Sequence, residues 1–113
     1  MKRKFIFTQH FDDKWNKLGL TDDDCTLLEQ FLLENPDVGV IIQGTGGIRK
    51  IRWRLPSTGK SGGIRILYID YIMQETIVVF DLFTKDEKDN LSDSEKATLK
   101  SIVKSLGKEL NHE

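Results

Sequence analysis

The chain has 113 residues, 38% hydrophobic and 31% charged, with a net charge of −1 and a pI of about 6.1. That suits one soluble globular domain over residues 1–113 and excludes a disordered chain, while a lone cysteine, Cys25, excludes an internal disulfide or a multi-cysteine zinc site. No apolar run approaches the roughly 18–20 residues of a membrane span, and the start, MKRKFIF, is too short an apolar stretch for a signal peptide, so a cytoplasmic protein is expected.

Lys4–Thr8 alternates and is predicted as a first strand. Thr8 is placed to N-cap a helix that ends near Gly19, with Phe11, Trp15 and Leu18 on one face. A second helix starts at Thr21. Its first turn is Asp22, Asp23 and Asp24, which suits the positive end of the helix dipole. Leu27, Leu28, Phe31 and Leu32 form its apolar stripe, and Asn35-Pro36 ends it. Val38–Ile42 reads as a loop or a short extended piece. After a glycine-rich turn at 43–47, Ile48–Leu55 alternates strictly: Ile51, Trp53 and Leu55 share one face, Lys50, Arg52 and Arg54 the other. A polar loop over 56–63 leads to strands at Ile64–Tyr71 and Thr76–Thr84. A C-terminal helix runs from Ser92, with Glu95 three residues on as a capping box, to about Leu110; Leu99, Ile102, Val103 and Leu106 are its stripe. This order predicts an α+β fold, an antiparallel-rich sheet with helices on one face.

The small net charge conceals a strong pattern. Residues 1–42 sum to −3, residues 43–69 to +6 with no carboxylate, and residues 70–113 to −4. A basic block of this kind is a local anion site in a chain that is otherwise acidic. Two short motifs fail. Gly59-Lys60-Ser61 lacks the upstream glycine of a P-loop, since Arg54 stands there, and the glycines at 44, 46 and 47 precede a strand rather than a helix. His10 reads as a surface residue, Cys25 as half-buried packing, and the mixed charges at 85–96 as a solvated turn. With His10 and His112 near opposite ends, no metal-ligand set is visible, and no cofactor is expected. What remains is Lys50, Arg52 and Arg54 on one strand face, Arg65 on the next strand, and Lys60 between them. Tyr68, three residues beyond Arg65, falls on the opposite face unless a bulge intervenes.

Three segments carry a resemblance: 44–54 (GTGGIRKIRWR), 59–68 (GKSGGIRILY), and 84–88 (TKDEK) followed by 91–95 (LSDSE). Together they resemble the RelE/HigB superfamily of bacterial toxins, most of all its HigB-type, phage-derived branch. The resemblance implies a compact sheet with two N-terminal helices and cleavage of mRNA in the ribosomal A site. It also implies a helix-turn-helix, HigA-like antitoxin, through which alone operator DNA would be met. Matched by position, Lys50 and Arg52 hold and activate the substrate, Arg65 stabilises the scissile phosphate, and Tyr68 lies by the nucleotide. Arg49, Arg54, Lys60 and Lys88 contribute grip. RelE itself has an arginine and then a tyrosine after the last strand. Here Lys85-Asp86 follows it, so Lys85 or Lys88 substitutes.

The chemistry so implied is metal-independent: a 2′-hydroxyl attacks the adjacent phosphate, with Lys50 as base and Arg65 as stabiliser of the phosphorane. A lysine amine serves as a base only when neutral, a form that nearby guanidiniums favour. The same reading leaves two rivals, a ParE-like gyrase inhibitor on the same fold and a non-catalytic RNA-binding regulator. For the antitoxin, it predicts docking through an apolar element on the N-terminal helices near Phe11, Trp15 and Leu32.

Overall fold

The protein is described here from a computed structural model that covers residues 2–54, 63–84 and 90–111. The elements are β1 (Lys4–Phe7), α1 (Gln9–Lys17), α2 (Asp22–Glu34), β2 (Val40–Ile41), β3 (Arg49–Trp53), β4 (Ile64–Tyr71), β5 (Thr76–Thr84) and α3 (Asp93–Asn111). They form an α+β domain around one five-stranded sheet, ordered β1-β5-β4-β3-β2.

The helix starts follow from local chemistry. Thr8 Oγ1 accepts from the Phe11 N–H at 3.1 Å and donates to the Phe80 carbonyl at 2.6 Å, so the cap of α1 is also a tie to β5. Thr21 and Asp24 exchange side-chain and backbone bonds of 3.1 Å each at the start of α2, and Ser92 and Glu95 exchange bonds of 2.9 and 3.1 Å at the start of α3.

The sheet is antiparallel-rich, as expected, with one parallel pairing: β1 runs along β5, with Phe5 opposite Ile77 and Phe7 opposite Val79. One expectation changes: the helices lie on both faces. α1 and α2 bury Phe11, Trp15, Leu28 and Leu32 against Ile51, Ile64, Ile66 and Tyr68, whereas α3 brings Val103 against Ile48, Leu67 and Ile69 on the other side. An amphipathic helix announces that one face is buried, not which side of a sheet receives it. Leu27 and Ile102, both expected in helix stripes, are 47% and 41% exposed.

Phe11 and Leu32 are fully buried and Trp15 nearly so. They are core, so the expected docking of a partner through them is corrected. Trp15 also spends its indole N–H on the Thr21 carbonyl at 3.1 Å.

A bulge sits in β5. Leu67 pairs with Asp81 but Tyr68 with Val79, leaving Phe80 as the extra residue. β5 therefore switches sides, with Ile77, Val79 and Leu82 facing α1 and α2, and Val78, Phe80 and Phe83 facing α3. β4 carries no such break, and its alternation is unbroken from Ile64 to Ile69.

Tyr71 at the end of β4 holds α3 in place. Its hydroxyl donates to the Val103 carbonyl at 2.7 Å, and burial pushes the phenol up to about 12. From pH 10 upward an unfolded chain sheds this proton while the folded chain keeps it. The stability that Tyr71 contributes is thus whole below pH 10 and lost as pH climbs to about 12. Tyr71→Phe should cost about 1 kcal/mol at neutral pH through the lost hydrogen bond. It should also flatten the alkaline fall in melting temperature, which thermal melts from pH 8 upward would show.

Candidate functional site: a basic cleft on the β3–β4 strands

The basic residues meet because β3 and β4 pair in a fixed register. Arg52 lies directly opposite Arg65, and Lys50 opposite Leu67. Alternation puts Lys50, Arg52 and Arg65 on the α3 side of the sheet, with Ile51 and Ile66 on the other. Like charges directly opposite each other disfavour an antiparallel pair, and this register nonetheless concentrates positive charge on one face of the sheet. Arg52 is exposed, Lys50 half-buried, and Arg65 only 3% exposed, flanked across the sheet by Arg52 and Phe83.

These three side chains line an open cleft of about 460 Å³. Its other described walls are Phe31, Val38, Val40, Ile51 and Asn90, so no carboxylate lies among them. The cleft bends around the edge of β3, because β2 pairs only with Arg49 and Lys50 and leaves the rest of that edge uncovered by a described strand. Phe31 reaches it from α2 and packs against Trp53, ring centroids 5.0 Å apart. Lys50 and Asn90 also line an adjoining cavity of about 140 Å³, whose far wall includes Phe83 and Lys96. The result is a cationic floor beside an apolar wall, suited to an anion that carries a flat or apolar group.

Two expected site residues are elsewhere. Tyr68 lies on the α1–α2 side of the sheet and is fully buried. Its hydroxyl accepts from the Gly39 N–H at 3.0 Å and donates to the Pro36 carbonyl at 2.9 Å, and burial pushes the phenol above its ordinary value. Tyr68 pins the 36–39 loop and does not share the cleft with Arg65. Arg49 is on that same side, opposite Tyr68, and its Nη1 donates to the Gly39 carbonyl at 2.7 Å and the Asp37 carbonyl at 3.1 Å. It clamps the loop rather than facing the cleft. Gly39 is required by this crowding, since a Cβ there would sit 2.8 Å from Arg49 Cβ and 3.0 Å from the Tyr68 ring. Arg54 is exposed just past the end of β3. Lys60, Lys85 and Lys88 lie outside the described residues.

Neither lone reactive side chain joins the site. Burial pushes the Cys25 thiol up to about 11, away from thiolate reactivity. His10 is exposed on α1, with Nε2 3.3 Å from Asp81 Oδ1. Sequence reasoning missed Asn90 and Lys96. Their only signal was position, just before and just after the Ser92 cap that starts α3.

The model of the RelE toxin of RelE/RelB toxin–antitoxin systems matches residues 5–113. The chain belongs to the RelE toxin family. Among solved structures, a double arginine-to-alanine variant of E. coli RelE in the free state matches with a TM-score of 0.55 and 16% identity, covering 92% of this chain and 98% of that one. The toxin–antitoxin complex RelBE of E. coli gives a TM-score of 0.53 at 21% identity, covering 73% of this chain and 95% of the matched one. Isolated E. coli RelE gives 0.50 at 20%, covering 88% and 98%. At these identities the structures attest the fold that this RelE-family chain shares. Among its described residues no helix is long and apolar enough to cross a membrane.

Proposed function

We propose that this RelE-family toxin is a ribosome-dependent mRNA endonuclease of the HigB type, held in check by a helix-turn-helix antitoxin. The observation that carries the reading is the pairing of Arg52 with Arg65 beside Lys50 in one cleft with no described carboxylate. Such a site stabilises a group whose negative charge grows during reaction, as the phosphate does on the way to a phosphorane. A gyrase inhibitor would have no use for three cations on adjacent strands turned to one cleft.

In this reading the 2′-oxygen attacks its neighbouring phosphorus and the bond from phosphorus to the 5′-oxygen breaks. Lys50 takes the 2′-proton. Arg65, held by the sheet on both sides, stabilises the equatorial oxygens, and Arg52 and Arg54 hold the flanking backbone. Lys85 or Lys88, in the segment just after β5, supplies the proton to the leaving 5′-oxygen. General acid and base steps contribute roughly 10²–10⁴ each. The apolar wall of Phe31, Val38 and Val40 receives a base. A cleft of 460 Å³ takes only a short stretch of strand, which is why a ribosome presenting mRNA in a fixed pose would be needed.

The test is a purified translation reaction on a defined mRNA, with cut sites mapped by primer extension. Cuts in translated mRNA, none in naked RNA of the same sequence and none in DNA are expected. Inhibited supercoiling by gyrase with intact mRNA would overturn the reading. Salt gives a second check. For RNA short enough to occupy the cleft alone, with three to four phosphate contacts, the logarithm of the binding constant should fall against log salt with a slope of about −2 to −3. A flat response would mean that the basic cleft is not the contact.

A further inference from the structure

Beyond the cleft, α3 carries a second charged feature. Lys96, Lys100, Lys104 and Lys108 recur every four residues, and the segment from 96 to 108 holds no acid. Each repelling i,i+4 pair weakens a helix. A face made only for solubility would mix signs, as the first turn of α3 does with Asp93 and Glu95. Lys100, Lys104 and Lys108 are exposed.

The stripe begins at the site. Lys96 walls the cavity that Lys50 also lines. Next along, the stems of Lys96 and Lys100 lie over the glycine loop: a Cβ on Gly44 would be 3.7 Å from Lys96 Cδ, and one on Gly46 3.7 Å from Lys100 Cγ. From there each lysine is about 6 Å further along the axis and turned by about 40°, so the charges wind outward from the sheet to the solvent side over about 18 Å. A rise of about 6 Å per charge is close to the phosphate-to-phosphate step of a nucleic-acid strand.

We infer that the α3 lysines form a track for the phosphates of single-stranded RNA leaving the cleft, holding the strand on one side of the cut. The inference rests on the reading of the cleft as an RNA site and extends its footprint from the reacting nucleotide to a run of backbone. The contacts are to phosphate alone, so the track adds affinity and direction without sequence choice.

The experiment compares the intact protein with the triple variant Lys100→Gln, Lys104→Gln, Lys108→Gln, whose changes are all on exposed positions. The probes are fluorescent oligouridylates of about 4 and about 16 nucleotides, the range of site sizes in single-strand binders, with 2′-O-methyl groups so that nothing is cut. For the long probe the variant should bind on the order of ten-fold more weakly, and its salt slope should shrink by about 2, or about 0.7 per lost contact. The short probe should bind both proteins alike. Equal binding of the long probe, or equal losses for both lengths, would overturn the track. So would unchanged RNA binding with lost binding of the antitoxin, which would assign the stripe to a protein partner. The two readings fail separately. Cleavage of translated mRNA by the intact chain, with an unaffected long probe, sinks the track alone. Length-dependent binding that the triple variant abolishes, without cleavage in any translation reaction, sinks the nuclease alone.

Discussion

Arg65→Ala should abolish the growth arrest that expression of the intact chain is expected to cause in bacteria, and should lower the cleavage rate in a translation reaction by about 10²–10³. The size follows from placement. Arg65 is 3% exposed, with Arg52 on one side in the sheet and Phe83 on the other, so burial restrains its side chain before charge develops. Burial also means that alanine leaves a hole, and a fall in activity could come from unfolding. Arg65→Lys keeps the charge and most of the volume but loses the planar fork, so activity between the two is expected. Arg52→Ala on the exposed partner gives a third arm with little risk to the fold. Folded Arg65→Ala protein that still arrests growth and cuts mRNA at the normal rate would remove Arg65 from the chemistry.

Tyr68→Phe is expected to do the reverse: a large loss of stability with cleavage kept. The hydroxyl is fully buried and serves two backbone groups, the Gly39 N–H and the Pro36 carbonyl. Phenylalanine leaves both without that partner in the core, at about 1–3 kcal/mol for each buried polar group so orphaned. Among the described walls of the cleft, the loop they belong to contributes Val38, with Val40 of β2 next to it. A melting temperature lowered by several degrees, with a cleavage rate below the melt within a few-fold of the intact protein, is the expected result. An unchanged melt with a hundred-fold slower cut would return Tyr68 to the catalytic role that sequence resemblance gave it.

The contrast between these residues shows what the sequence makes legible. Period-two alternation correctly separates Lys50 and Arg52 from Ile51 and Trp53, because pleating is a local rule. The same rule places Arg65 and Tyr68 on opposite faces. Uniting them needs a bulge in β4, but the bulge lies in β5 at Phe80, where it re-sorts Leu82 and Phe83 and leaves β4 regular. Arg49 looks as basic as its neighbours, yet it binds carbonyls of a loop about ten residues away, a contact that depends on how the chain returns. Long-range pairing is likewise invisible in a single strand, which is why the parallel seating of β1 on β5 and the seating of α3 on the far face were not legible. The α3 caps were, since Ser92 and Glu95 act within one turn.

The most direct measurement of the account is the chemistry of the cut ends. Attack by the 2′-oxygen requires an upstream fragment ending in a 2′,3′-cyclic phosphate and a downstream fragment starting with a 5′-hydroxyl. It also requires that one 2′-deoxy substitution at the scissile nucleotide stop the cut while neighbouring substitutions leave it intact. Mapping both ends of mRNA cut in a translation reaction should give this pair of ends. A 5′-phosphate on the downstream fragment, or normal cutting at the 2′-deoxy nucleotide, would show that water rather than the 2′-hydroxyl attacks, and would contradict the roles assigned to Lys50 and Arg65.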